Sequence, residues 1–159
     1  VNWTHQLARA EQIPTNDDWL TWLFLAGRGA GKTRTASEWL AWQAIYHPKT
    51  RWAIAAPTHA DARDTCAEGE SGIIKVLREY GVLKDYNRSI SEIFLTNGSR
   101  IKLFSGEEPD RFRGPQFHGG WFDELQRLSI LNRGTNTNSH YDLEINHKLL
   151  LQLRHDQRS

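Results

Sequence analysis

Ala26-Gly27-Arg28-Gly29-Ala30-Gly31-Lys32-Thr33 is the stretch that decides how the rest of the chain reads. It follows the apolar run Leu20 to Leu25 and opens a helical pattern from Lys32 to about Tyr46. Strand, glycine-rich loop and helix, in that order, form the context of a phosphate-binding loop. Glycines let successive backbone N–H groups turn inward around phosphate oxygens. The helix N-terminus aims partial positive charge at the same anion. Lys32 supplies a mobile cation for the β and γ phosphates, and Thr33 a hydroxyl for magnesium. The strict pattern has glycine where this chain has Ala26, so the match is near rather than complete. A glycine-rich turn that binds nothing is the alternative reading. The Gly-Lys-Thr register in this context argues against it.

At 159 residues the chain has the size of one domain, long enough to bury about two thirds of its unfolded surface. The formal net charge of +1 excludes a polybasic nucleic-acid binder, so any DNA contact needs a local patch. Cys66 is the one cysteine, which excludes an internal disulfide and fits a reducing compartment such as the cytoplasm. No apolar run approaches the ~18 residues of a membrane span. Val1-Asn2-Trp3-Thr4-His5 shows no signal-peptide pattern. Val1 is not Met, which fits a processed or cut start.

Taken in order, the polar first 18 residues contain Gln12, whose amide both donates and accepts and so suits an adenine edge. A surface-loop glutamine is the equal alternative. Residues 19–26, with Trp19, Trp22, Leu23, Phe24 and Leu25, read as a strand covered on both faces. The helix after the loop carries Ala36, Trp39, Leu40 and Gln43 at helical spacing and ends at His47-Pro48. Arg51 to Ala56 reads as a second strand, completing a parallel βαβ unit. Thr58-His59-Ala60-Asp61 resembles a capping box and predicts a helix to about Glu68, interrupted by Gly69 and Gly72. Ile73 to Tyr80 predicts another helix, closed by Gly81. Residues 91–104 read as a hairpin around Asn97-Gly98.

Phe117 to Phe122 reads as a short apolar strand ending in Asp123-Glu124. A nucleotide hydrolase places such a pair beside its phosphate loop. Asp123 would hold magnesium, usually through water. Glu124 would orient or deprotonate the attacking water. Helix-capping acids are the alternative reading of such a pair.

Several segments together carry a more specific likeness. They are the loop and its continuation to Trp39, Ala56-Pro57-Thr58-His59-Ala60-Asp61-Ala62-Arg63-Asp64, Glu68-Gly69-Glu70-Ser71-Gly72, the run from Glu107 to His118, and Asp123-Glu124-Leu125. From about Gln12 to Leu125 the chain resembles the ATPase domain of the large terminase subunit, the DNA-packaging motor of tailed bacteriophages and prophages. The resemblance implies an α/β P-loop NTPase fold, with a mainly parallel sheet, helices on both faces and an added β-hairpin. It implies ATP and Mg2+ as cofactors, with ATP held by Gln12, Gly27, Arg28, Gly29, Ala30, Gly31, Lys32, Thr33 and Arg34. Thr33 and Asp123 are the implied metal ligands. Arg28 matches an arginine inside the phosphate loop that stabilises the γ phosphate, acting with Lys32 and Glu124 in catalysis. A planar cation suits charge spread over phosphate oxygens. Implied partners are double-stranded DNA, the small terminase subunit, the capsid portal and further copies in a ring, in the bacterial host cytoplasm. Arg111, Arg113 and Gly114 lie in a family signature that fits a DNA or subunit contact, or else a salt-bridged surface loop.

Residues 126–159 depart from that family. Large terminases continue with a strand ending in threonines and a proline, which couples hydrolysis to movement, and then a nuclease domain. Here Asn132 to Ser139 is polar, and Asp142 to Arg154 reads at best as a helix whose leucines fit no single stripe. Asp142, Glu144 and Asp156 are too few and too scattered for a two-metal nuclease, and His140, His147 and His155 read as solvated. The expectation is a truncated or frame-shifted relative: a domain over residues 1–125, a foreign tail over 126–159, and no nuclease or coupling strand. A helicase-like DNA-dependent ATPase and a catalytically inactive remnant are the competing readings.

Overall fold

The apolar run ahead of the glycine loop forms β1 (Thr21–Ala26), and the periodic stretch behind it forms α1 (Lys32–Tyr46). The computed structural model describes residues 3, 7–14, 21–108, 111, 116–124 and 145–154, the last stretch as backbone. After α1 come β2 (Arg51–Ala56), a π-helix (Asp61–Ala67), α2 (Ile73–Glu79), β3 (Leu83–Asn87), β4 (Glu92–Leu95), β5 (Arg100–Ser105), β6 (Phe117–Phe122) and β7 (Ile145–Arg154). They form one 7-stranded sheet in the order β1-β7-β6-β2-β5-β4-β3. The first five strands in that order run parallel, and β4 and β3 add antiparallel at the end. This is the mainly parallel α/β sheet with a hairpin that the sequence predicts. Trp19 and Leu20, expected at the start of β1, lie outside the described residues.

Helix α1 buries Thr35, Ala36, Ser37, Glu38, Trp39, Leu40, Ala41 and Ala44, far more than one stripe. Packed on the sheet and alongside α2, it has little solvent-facing surface to be polar. Its apolar side chains join those of α2 and the π-helix over Phe24, Trp52, Ile54, Ile101, Leu103 and Trp121 of the sheet. Burying each such side chain contributes about 1.5–3 kcal/mol. Among the described residues these three helices share one sheet face. On the opposite face, Leu23 and Leu25 remain 47% and 52% exposed.

The segment after β2 departs from expectation in its winding. Thr58 Oγ1 accepts from the Asp61 N–H at 3.0 Å, which is one half of the expected capping box. The helix then widens, with the Glu68 N–H donating to Arg63 O at 2.8 Å, five residues back. Such single π turns are rare and concentrate at functional sites. Gly72 closes the segment, because a Cβ there would collide with the Ala67 carbonyl.

Asn97 does more than turn the hairpin. Its Nδ2 donates to Ala44 O at 2.8 Å and Ile45 O at 3.0 Å, serving two carbonyls left open at the end of α1.

The largest correction concerns the tail. Within the stretch Asp142 to Arg154, read at best as a helix, residues 145–154 form β7 instead, and β7 lies between β1 and β6. The run Leu149-Leu150-Leu151 with Leu153 suits an inner parallel strand, which is apolar without a helical stripe. The tail thus contributes a strand to the sheet. Arg113, Gly114, His140 and His155 lie outside the described residues.

Candidate nucleotide site

The glycine loop leaves β1 at Ala26 and enters α1 at Lys32. Gly29 and Gly31 take φ of +73° and +76°, which only glycine adopts without strain. Gly31 also has no room for a side chain, since a Cβ there would lie 2.8 Å from Gln12 Nε2. The first helical N–H to bond backward is that of Thr35, to Gly31 O at 2.9 Å. The N–H groups ahead of it are those of the helix start, which the helix itself does not pair. No acidic residue occupies the first turn of α1, so the positive helix end is not neutralised from within. Lys32 folds over the loop entrance, its Nζ donating to Ala26 O at 2.9 Å and Gly27 O at 2.7 Å. Arg28 is exposed in the loop, and Thr33 is half-buried at the second position of α1.

Two predicted ATP contacts are engaged elsewhere. Gln12 is buried, with its Oε1 accepting from the Arg9 N–H at 2.9 Å and its Nε2 donating to Thr35 Oγ1 at 2.8 Å. Both ends of its amide thus serve the chain itself, and Gln12 braces the loop from behind rather than offering a free edge to a base. Arg34 turns its guanidinium away from the loop. It bonds Glu38 through Nε at 2.9 Å and Glu79 through Nη2 at 3.0 Å, and its charged end lies 5.6 Å from the centre of the Trp3 ring. Glu38 is 1% exposed, and Tyr80 Oη donates to its second oxygen at 2.7 Å. Burial and Glu38 push the Tyr80 hydroxyl up to about 12. What Arg34 can still offer a phosphate is its backbone N–H. Arg9, whose guanidinium donates to Ala30 O, completes this support, and no sequence motif announces it.

The acid pair sits at the carboxyl end of β6. The Asp123 N–H bonds Ala55 O at 2.8 Å, fixing the carboxylate at the sheet edge. Burial first, then the neighbouring Glu124 carboxylate, pushes the Asp123 carboxyl up to about 6. The Cys66 thiol and the Lys32 ammonium act in the opposite direction. Cys66, fully buried on the π-helix, donates to Asp123 Oδ2 across 3.7 Å. Burial and Asp123 raise the thiol well above its ordinary value, so it stays protonated as a donor. Glu124 takes a φ of +44°, turning the chain out of the strand immediately after Asp123.

The structure therefore brings Lys32 and Asp123 within electrostatic reach across the carboxyl edge, although β7 separates their strands. Among the described residues no group of three or more His, Cys, Asp or Glu forms an all-protein cage. One buried carboxylate at the carboxyl end of β6 fits Mg2+, which is held by few protein oxygens together with phosphates and water. An open cradle of N–H donors and one lysine fits a polyphosphate.

Comparison with known proteins agrees with this geometry. Residues 23–129 match the family model "Terminase large subunit, T4likevirus-type, N-terminal". No curated protein matches the chain. The large terminase ATPase domain of Thermus phage P74-26 superposes with a TM-score of 0.62 at 17% identity, covering 84% of this chain and 58% of that one. The large terminase of another thermophilic bacteriophage gives 0.63 at 20% identity, covering 95% of this chain and 36% of that one. The latter in complex with ADP gives 0.60 at 21% identity, with 82% and 33% covered. Coverage of 95% carries the likeness in fold beyond residue 125. The chain spans between 33% and 58% of the length of these structures. With the family match over residues 23–129 and this shared fold, the chain belongs to the large terminase subunit family of T4-like type, matching its N-terminal part.

Proposed function

We propose that the chain binds ATP with Mg2+ at the glycine loop and hydrolyses it, as part of a motor that drives double-stranded DNA into a capsid. The observation that carries this reading is the convergence of the Gly27–Lys32 loop and the Asp123-Glu124 pair on one sheet edge. Lys32 leaves the Ala26 and Gly27 carbonyls to pair with the β and γ phosphates, joined by backbone N–H groups of the loop and helix start. Arg28 lies against the γ phosphate and spreads its charge over the phosphate oxygens. Thr33 and Asp123 would hold Mg2+, which when bound neutralises charge on the bridging phosphate oxygens. Glu124 takes the proton of the attacking water. The small terminase subunit, the capsid portal and a ring of copies are the partners this reading implies, in the cytoplasm of a bacterial host. No described helix is long and apolar enough to cross a membrane.

Two substitutions test it. Lys32→Ala removes most ATP affinity, and equal affinity in variant and parent would overturn the loop assignment. Glu124→Gln keeps ATP bound but slows hydrolysis by roughly 10²-fold or more, the scale of a lost general base. Parental turnover in that variant would place the base elsewhere. Turnover stimulated by duplex DNA without strand separation distinguishes a packaging motor from a helicase.

A further inference from the structure

We infer that a cationic groove on the sheet face opposite the helices is a seat for the phosphate backbone of duplex DNA. The groove encloses about 420 Å³ and is lined by Arg51, Arg100, Lys102 and Arg111, with Glu92 the one carboxylate and Phe104 and Phe117 as its apolar wall. Four cations against one acid contrast with a chain whose net charge is only +1.

Strand register produces this concentration. Arg51 and Arg100 open β2 and β5 and are direct partners in the parallel pair. Ile101 and Leu103 point into the helix-covered core, so Arg100, Lys102 and Phe104 share the other face. Alternate residues of a strand lie about 6.6 Å apart on one face, so the cations form a row. A row of separated cations fits a linear polyanion better than a single small anion. Arg100 lies 3.7 Å from Glu92, and Arg51 and Arg111 are exposed, while Lys102 Nζ is held by Ile90 O at 2.5 Å. The two rings are nearly buried, which favours backbone contact over base stacking. Arg111 also pairs with Glu108, which lies 3.5 Å from His59 just beyond β2. A phosphate taken by Arg111 would compete with that pair.

The choice of DNA as the polyanion rests on the packaging reading, but the test does not depend on ATP chemistry. Fluorescence anisotropy would follow a labelled duplex of arbitrary sequence at stepped salt concentrations. The parent is compared with Arg51→Glu/Arg100→Glu and with Arg51→Lys. The double reversal is expected to weaken binding at least ~10-fold and to lower the log–log salt slope by about 2, one unit per lost phosphate contact. Arg51→Lys should keep most affinity. ATP binding, measured in parallel, should be unchanged in all three. Equal affinity and slope in parent and double variant would overturn the inference. So would a folded parent that binds pyrophosphate but no duplex. Absence of ATP binding in the parent would sink the nucleotide reading while leaving the salt slope to decide this one. Should the double variant melt early, Arg51→Gln at its exposed position carries the same test with a slope change of about 1.

Discussion

The Cys66 thiol donates to Asp123 Oδ2 across 3.7 Å, so a buried cysteine holds one oxygen of the acid proposed to carry magnesium. The wide winding of the π-helix sets Cys66 in this place. Cys66→Ala should raise the Mg2+ concentration needed for half-maximal ATP binding by roughly 3- to 10-fold, the worth of one hydrogen bond. Cys66→Ser should restore much of the parental value. Calorimetric titration of ATP at stepped Mg2+ concentrations reads this directly. An unchanged Mg2+ dependence in Cys66→Ala would remove the thiol from the site.

Asp123 also predicts how stability varies with pH. Its folded pKa of about 6 lies above the unfolded value of about 3.9. The folded state therefore keeps a proton that the unfolded chain releases. The associated stability is full below about pH 4 and is lost as pH rises through about 6, an effect of order 3 kcal/mol. Asp123→Asn should flatten this fall and raise nucleotide-free stability at neutral pH. Urea melts of both proteins at pH 4 and pH 7.5 measure the difference, and parallel pH curves would contradict it.

Gln12 separates two roles that a sequence cannot. An adenine-reading glutamine, when replaced, loses discrimination between ATP and GTP. A glutamine that braces Thr35 and packs against Gly31 loses affinity for both alike. The expected result for Gln12→Ala is a similar loss for both nucleotides, roughly 5- to 30-fold, from a buried hydroxyl left without its donor. Equilibrium binding of the two nucleotides decides between them.

Asn97 yields a stability test away from the site. Asn97→Ala abandons the Ala44 and Ile45 carbonyls and the support of the Ser99 N–H, which Asn97 Oδ1 accepts at 3.0 Å. A loss of about 1–3 kcal/mol is expected. Asn97→Asp should recover little, since a carboxylate cannot donate to carbonyls. Denaturant midpoints at constant slope provide the measurement.

What the sequence made legible is what local chemistry dictates. The glycine loop, α1, β2, the Asn97-Gly98 turn and the strand ahead of Asp123-Glu124 follow from periodicity, turn residues and motif register. The π turn was hidden because one extra residue in a helix leaves the apolar pattern almost unchanged. β3 was hidden because its exposed residues are polar and its stability comes from pairing with β4. β7 was misread because a continuous apolar run has no alternation to distinguish a strand from a short helix. Gln12 and Arg34 illustrate the limit at the site. Their residue types suit a nucleotide, yet Thr35, Glu38 and Glu79, set by the fold, take their donors.

The position of β7 has a consequence in time as well as in space. Thr21 and Leu149 are sheet partners, and Leu149 is also the partner of Gly120. The strand that carries the phosphate loop and the strand that carries the acids are therefore joined through residues the ribosome makes after both. Two inter-strand spacings, about 9.6 Å, separate them once β7 is in place. Contacts so distant along the chain close late, since their loop entropy must be overcome before pairing rewards it. Until β7 is made and seated the loop and the acids exist as separate pieces, and a nucleotide meets both only after that strand is in place.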